Sequence, residues 1–242
     1  IKSIFAASKN EYKMSKKKQT EDEVIVDIGG SYNKAEEFIE NNKQMITAVI
    51  VGIIVIVGGY FGYTKMYLDP LQMDAEEQIW KAQSYLDKDS LDLAMFGDGN
   101  YMGFEEIASE FSGTRAGDLA NYYMGVISLR KEEFDLAIDY LDSYSGNDIM
   151  LSAIALGAIG DANMELDDAG KALDYYKKAA RKNPNDFTSA IFLMKAGKVA
   201  EALEDYSDAV GLYEEIKKNY PDTKEGREVE KYLARAKTLA SK

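Results

Sequence analysis

Cysteine and histidine are both absent from this sequence of 242 residues. Without cysteine the chain can form no disulfide and has no thiol nucleophile, and without histidine it cannot build a Ser-His-Asp triad. Ordinary zinc sites draw on the same two residue types and are excluded with them. No glycine-rich phosphate loop follows a predicted strand either. We therefore expect a protein that is not an enzyme and that needs no cofactor or metal.

Proline and basic charge are also scarce. The chain has three prolines and 46% hydrophobic residues, a combination that suits a helical protein. Residues 1–43 are electrically balanced, whereas residues 68–242 carry 34 acidic and 20 basic side chains. An acidic domain repels nucleic acid and anionic lipid headgroups, so we expect no nucleic-acid partner.

The longest uncharged run, QMITAVIVGIIVIVGGYFGYT, covers residues 44–64. As a helix it would be about 31 Å long, close to the ~30 Å hydrocarbon core of a bilayer. Aromatic residues gather at its downstream end, where amphipathic rings favour the membrane interface. The alternative is a buried core helix, which is rarely apolar on every face for this length. We predict one transmembrane helix over residues 44–67, and we expect Asp69 and Pro70 to end this helix or its extension.

The lysine distribution predicts the orientation of this span. The cluster at 16–18, Lys34 and Lys43 precede it, against Lys65 and Lys81 after it, and the richer side stays in the cytoplasm. Residues 1–43 are then a cytoplasmic tail, largely disordered, with a juxtamembrane helix from Ser31. Residues 70–242 are a translocated domain, which in a bacterium is periplasmic and held by a single pass through the inner membrane.

Small residues recur four apart within the span and would let another helix approach closely. The alternative is that glycine is simply common in membrane helices. The candidate helix-contact residues are Ala48, Gly52, Gly58 and Gly62.

Helical periodicity fills most of residues 70–242 and repeats at a regular interval. Gly160 is followed by Ala172, Tyr176, Ala179 and Pro184 at the spacings of a tetratricopeptide repeat. In such a repeat the small residues let the two helices of a hairpin touch, the aromatic residue fills the gap to the next hairpin, and proline ends the second helix. The same register gives further packing residues upstream and downstream: Gly125, Ala137 and Leu141, then Gly197, Ala209, Tyr213 and Pro221.

A second self-match extends the array. Residues 106–123 align with residues 215–232 at an offset of 109, about three repeats. This predicts a degenerate first hairpin, with helices over 71–87 and 101–111 joined by a long loop that contains the turn sequence GDGN. The expected fold is all-α, a single transmembrane helix followed by a tetratricopeptide-type α-solenoid of about four hairpins and a capping helix.

A solenoid of this type offers a groove lined by the first helix of each hairpin. A mixed apolar surface with adaptable methionines suits extended or partly unfolded polypeptide. The alternative for each residue is ordinary core or solvent face. Counting from the repeat starts gives the candidate protein-binding residues Tyr122, Val126, Arg130, Asp161, Met164, Met194 and Lys198.

The layout around the span resembles the YfgM-type ancillary subunit of the Sec translocon. The resemblance is carried by FIENN at residues 38–42, by the glycines and aromatics of residues 58–63, and by an Ala-, Gln- and Tyr-rich helix over 75–85. The sequence departs from that family in its longer charged tail and its GDGN loop. The resemblance implies association with the SecYEG channel and with a membrane-anchored periplasmic prolyl isomerase-type chaperone, and a role in handing emerging chains to periplasmic chaperones.

Two functions follow from these features. The first is a non-enzymatic, membrane-anchored adaptor or holdase at the Sec translocon, which binds unfolded or extended client polypeptides through its repeat groove. The alternative is a structural scaffold of another cell-envelope machine, for secretion, gliding or division.

Overall fold

The computed structural model describes residues 36–241, and every regular element in that range is helical. The tail before residue 36, including the first part of the expected juxtamembrane helix, lies outside the described residues; residues 36–41 are helical. The α-helices are α1 (Lys43–Tyr63), α2 (Asp69–Asp87), α3 (Leu91–Phe96), α4 (Phe104–Glu110), α5 (Arg115–Arg130), α6 (Phe134–Asp142), α7 (Leu151–Glu165), α8 (Ala169–Lys182), α9 (Ser189–Ala202), α10 (Tyr206–Asn219) and α11 (Lys224–Ala240).

Within residues 36–241, one helical stretch is long and apolar enough to cross a membrane, Lys43–Asp87. None of the side chains in its apolar window is buried inside the chain. The expected break at Asp69 and Pro70 is wrong, because the helix continues to Asp87. A π-helical turn, Thr64–Leu68, precedes α2 and places Pro70 in its first turn, where a missing N–H is tolerated.

The following helices pair into hairpins, α2 with α3, α5 with α6, α7 with α8, and α9 with α10, and α11 packs on α9 and α10. Each hairpin turns through a non-glycine residue in the left-handed region. At the third turn, the N–H of Asp168 donates to the carbonyl of Asn163 at 2.8 Å, and the equivalent bond recurs at the other turns. The left-handed residues, with φ from 58° to 63°, are Asp89, Glu132, Asp167 and Glu204.

The positions of these turns show that the expected helix bounds of the first hairpin were wrong. Its second helix is not one helix over 101–111, because α3 lies inside the segment expected to be loop. From Asp89 to the capping residue Thr114 the chain takes 25 residues, against 19 from Glu204 to Thr223. The extra residues form a tight loop between α3 and α4, so an insertion divides the second helix of this hairpin.

The GDGN sequence forms the turn expected of it. Asp98 accepts the backbone N–H groups of Asn100 and Tyr101 at 2.9 Å, and its other oxygen accepts the hydroxyl of Tyr85 on α2 at 2.5 Å. The hydrogen bond from Tyr85 is the largest cause that lowers the pKa of Asp98 to about 2, and the two backbone bonds add to it. The loop is therefore fastened to α2.

The two segments that match at an offset of 109 residues contain the starts of α5 and α11, which have the same structure. Thr114 caps α5 by accepting the N–H of Gly117 at 3.0 Å and donates to the carbonyl of Phe111 at 2.7 Å. Thr223 caps α11 through the equivalent bonds to Gly226 and Tyr220, at 2.9 and 2.8 Å. A Cβ at either glycine would collide with the preceding aromatic residue's carbonyl, which explains why both copies carry glycine there.

Candidate protein-binding surface

The repeat-packing glycines lie where one hairpin helix receives a large side chain from the other. A Cβ built on Gly160 would lie 2.6 Å from the ring of Tyr176, and at Gly125 and Gly197 it would meet Leu141 and Tyr213 closer still. The small residues Ala137, Ala172, Ala179 and Ala209 are fully or almost fully buried. Pro184 and Pro221 lie exposed, just after α8 and α10.

Tyr176 joins two hairpins. Its hydroxyl donates to Asp161 of α7 at 2.5 Å, and its ring stacks on Phe192 of α9 with centroids 6.4 Å apart. Burial, followed by the bond to Asp161, raises the pKa of Tyr176 well above its usual range. The neutral phenol is therefore held as a fixed donor at this junction.

One face of each first helix stays at least partly exposed and defines what we call the first-helix face. Its residues recur at equivalent places in the three repeats. They are Leu119, Tyr123, Val126 and Arg130 on α5, Ile154, Ala158, Asp161 and Glu165 on α7, and Ile191, Lys195 and Lys198 on α9.

Contacts between successive first helices run across this face at equivalent positions. Gln83 of α2 donates to the hydroxyl of Tyr123 at 3.3 Å. Asp161 accepts from Lys195 at 2.6 Å, and Lys198 lies 5.3 Å from the ring centroid of Tyr232 on α11. These pairs set the neighbouring first helices side by side.

Three of the predicted groove residues form contacts within the chain. Asp161 and Lys198 take part in the cross-helix pairs, and Arg130 pairs with Asp89 at the first turn. Tyr122 and Val126 are half-buried, and Met164 is exposed at the end of α7. Only a part of the predicted set is thus open to a ligand.

Met194 does not line the surface. Its side chain is 6% exposed and lies in the core cluster of the last two hairpins. It stands one helical turn from Ala190 and Gly197, and these residues face α8 and α10 rather than solvent. The expectation that both methionines would line the groove therefore does not match this structure.

Sequence counting missed the exposed apolar residues in the turns just before α7 and α9. Phe187 is 72% exposed, Ile149 62% and Met150 43%. Met150 and Phe187 occupy equivalent places, each one turn before an exposed or half-buried isoleucine, Ile154 or Ile191. The exposed apolar pattern i, i+4 at two consecutive repeats was a signal that the sequence already contained.

A cleft of about 640 Å³ lies between the start of α5 and the loop after α6, and it reaches Asp148 and Leu151 on either side of Ile149 and Met150. It is lined by Leu119, Leu151, Tyr144 and charged groups that include Arg115 and Asp118. Asp118 accepts the hydroxyl of Ser145 at 2.9 Å, which fixes the loop against α5. Burial, together with the neighbouring carboxylates Asp148 and Asp118, raises the pKa of Tyr144.

The candidate helix-contact residues of the span lie on the apolar helical stretch. A Cβ at Gly52, Gly58 or Gly62 would meet no atom within 4 Å, and Ala48 is exposed. Nothing within the described chain packs against them.

Comparison with known proteins agrees with the hairpin architecture. The family model of a tetratricopeptide repeat matches residues 192–223, which comprise most of α9 and all of α10. No curated protein matches the chain. The chain thus contains a tetratricopeptide repeat, residues 36–241 form helices as their only regular elements, and repeats of this family generally mediate protein–protein interactions.

Proposed function

We propose that this protein is a membrane-anchored adaptor or holdase that binds other polypeptides on the first-helix face and performs no catalysis. The observation that carries the proposal is the combination of a matched tetratricopeptide repeat with an unburied apolar helix upstream of it. A repeat array presents an extended surface and no enclosed reaction chamber. An apolar helix without a partner inside the chain would expose its side chains to water unless lipid or another helix covered it.

In the finer form of the proposal, the span resides in a bacterial inner membrane with the tail in the cytoplasm and residues 70–242 in the periplasm. The partners are then the SecYEG translocon and a membrane-anchored prolyl isomerase-type chaperone, with emerging chains as clients. This form is supported by the resemblance around the span and by the lysine distribution.

Topology is tested by protease added to intact spheroplasts of cells that produce the full chain with a tag at each end. Digestion of the carboxyl-terminal tag with survival of the amino-terminal tag is expected. A protected carboxyl-terminal tag would overturn the periplasmic placement.

The partners are tested by purification of the full chain from membranes in mild detergent after cross-linking. Recovery of translocon subunits above the level found with a bait that keeps residues 1–67 but lacks the repeats would support the adaptor role. Recovery of a different envelope machine would favour the scaffold function, and recovery of nothing beyond the control would contradict both.

A further inference from the structure

The first-helix face changes character along each helix. Near the ends of α7 and α9 it carries charges that are engaged in cross-helix pairs. At their beginnings it carries apolar side chains that have no such partner among the described residues. We call this second part, together with the turns just before the two helices, the apolar strip; it is formed by Ile149, Met150, Ile154, Phe187 and Ile191.

The chain segments that carry the strip meet across one repeat junction. Asn183, which follows α8, donates to the carbonyl of Ile149 at 3.2 Å and so ties the segment between α8 and α9 to the turn before α7. A Cβ at Gly157 would collide with Phe192, so these two helices also meet just beyond Ile154 and Ile191. The strip is therefore a surface of two adjoining repeats and not a set of scattered exposed side chains.

Carboxylates border the strip. Asp148 caps the start of α7 by accepting the N–H of Leu151 at 2.8 Å, and Asp186 is exposed beside Phe187. Asp118 stands in the adjoining cleft, where Arg115 is the opposing charge. Asp118 and Arg115 offset each other, so the negative charge of the border comes from Asp148 and Asp186, within a domain that is acidic as a whole.

We propose, resting on the function proposed above, that the apolar strip binds an extended segment of another polypeptide that combines apolar side chains with Lys or Arg. Apolar contact with the strip supplies affinity, and the acidic border selects positive charge on the segment. A second copy of this chain is a poorer occupant. It would bring Asp148 and Asp186 against the same residues of the partner, and both domains carry a large negative charge.

The test measures binding of fluorescent peptides to the full chain in nanodiscs of zwitterionic lipid. One peptide alternates Leu with Lys, a second replaces each Lys by Glu, and a third replaces each Leu by Ser. Empty nanodiscs give the lipid background. We expect the Leu/Lys peptide to bind at least about tenfold more tightly than either of the other two.

The matched variants are M150S/F187S in the strip and L166S/L203S at the opposite ends of the first helices, where the two leucines are also exposed. The strip variant is expected to weaken binding of the Leu/Lys peptide about tenfold, and the control variant less than about twofold. Asp186→Asn, which removes a border charge without touching a helix cap, is expected to weaken it about threefold and to reduce its salt dependence. Equal melting temperatures of strip and control variants exclude a folding effect.

Equal weakening by both pairs of variants, or equal binding of the Lys and Glu peptides, would overturn the proposal. So would concentration-dependent self-association that M150S/F187S abolishes, since the strip would then bind a second copy. If cross-linked partners are recovered equally well with M150S/F187S, the adaptor function stands and the assignment of the strip fails.

Discussion

The ring of Tyr176 lies in the space that Gly160 leaves open on the facing helix. A Cβ at Gly160 would come within 2.6 Å of that ring, and the tyrosine hydroxyl reaches Asp161, the next residue along α7. The same relationship joins Gly197 to Tyr213 and Gly125 to Leu141. A glycine on the first helix and a large side chain on the second thus act as a matched pair, which holds each hairpin closed.

Gly160→Leu is expected to destabilise the fold by about 3 kcal/mol or more, because the added side chain cannot coexist with the Tyr176 ring in a packed site. Gly211→Ala is the control, since a Cβ there meets no atom within 4 Å in the interior of α10. That change should stabilise the helix by about 0.5–1 kcal/mol. Chemical denaturation followed by circular dichroism measures both, and similar effects of the two changes would contradict the matched-pair account.

Thr223→Ala is expected to destabilise the protein by about 1 kcal/mol, because the hydroxyl accepts the N–H of Gly226 at the start of α11. Thr238→Ala, a change at an exposed position in the last turn of the same helix, should have a smaller effect or even stabilise the helix. Hydrogen exchange of the first turn of α11 should accelerate in the first variant and not in the second. Unchanged exchange would mean that the threonine does not act as a cap.

Asp98 should titrate at a pH of about 2, below its ordinary pKa of 3.8, because Tyr85 and two backbone N–H groups bind its ionised form. The stabilisation that this group supplies is fully present above the ordinary pKa and is lost as the pH falls from about 4 to about 2. Tyr85→Phe should raise the pKa of Asp98. Carboxyl-carbon NMR shifts of the two proteins measure the change, and identical titrations would show that the hydroxyl bond is not formed in solution.

Alkaline pH should unfold the last two hairpins through their buried tyrosines. Burial is the main cause that raises the pKa of both Tyr176 and Tyr213 above the ordinary value of 10.0. Their contribution to stability is present below that value and is lost as the pH rises through the raised values. A late rise in tyrosinate absorbance should therefore coincide with loss of helical circular dichroism, and the variant with Phe at both positions should retain its helix to higher pH. Tyrosinate formation without loss of helix would contradict this.

The hairpin architecture could be predicted from sequence because small and aromatic residues recur at fixed distances. Gly160 and Tyr176 lie 16 residues apart in the sequence, and this fixed spacing, which made the repeat recognisable, also brings them together in the hairpin. The offset between residues 106–123 and 215–232 likewise reflects one local device, a threonine cap with a glycine that no Cβ could replace. Local steric requirements of this kind involve only a few residues and can therefore be recognised in the sequence.

The missed features depend on contacts that no short pattern encodes. α3 was expected to be part of a long, Gly- and Asp-rich loop, yet Ala94 and Met95 are buried against neighbouring helices. Pro70 was expected to end a helix, but a π-helical turn before it removes the conflict. Met194 was placed on the groove by counting positions, whereas in the fold it belongs to the core cluster that α9 forms with α8 and α10.

The packing of each hairpin on the hairpins beside it has a mechanical consequence. Repeats that contact only the adjoining repeats transmit a pull in series, and each junction can yield without the others. A load applied at the carboxyl terminus would reach α11 first and would peel it from α9 and α10 before disturbing α5 and α6. The array should therefore lengthen in steps under force, and behave as a compliant tether rather than a rigid strut.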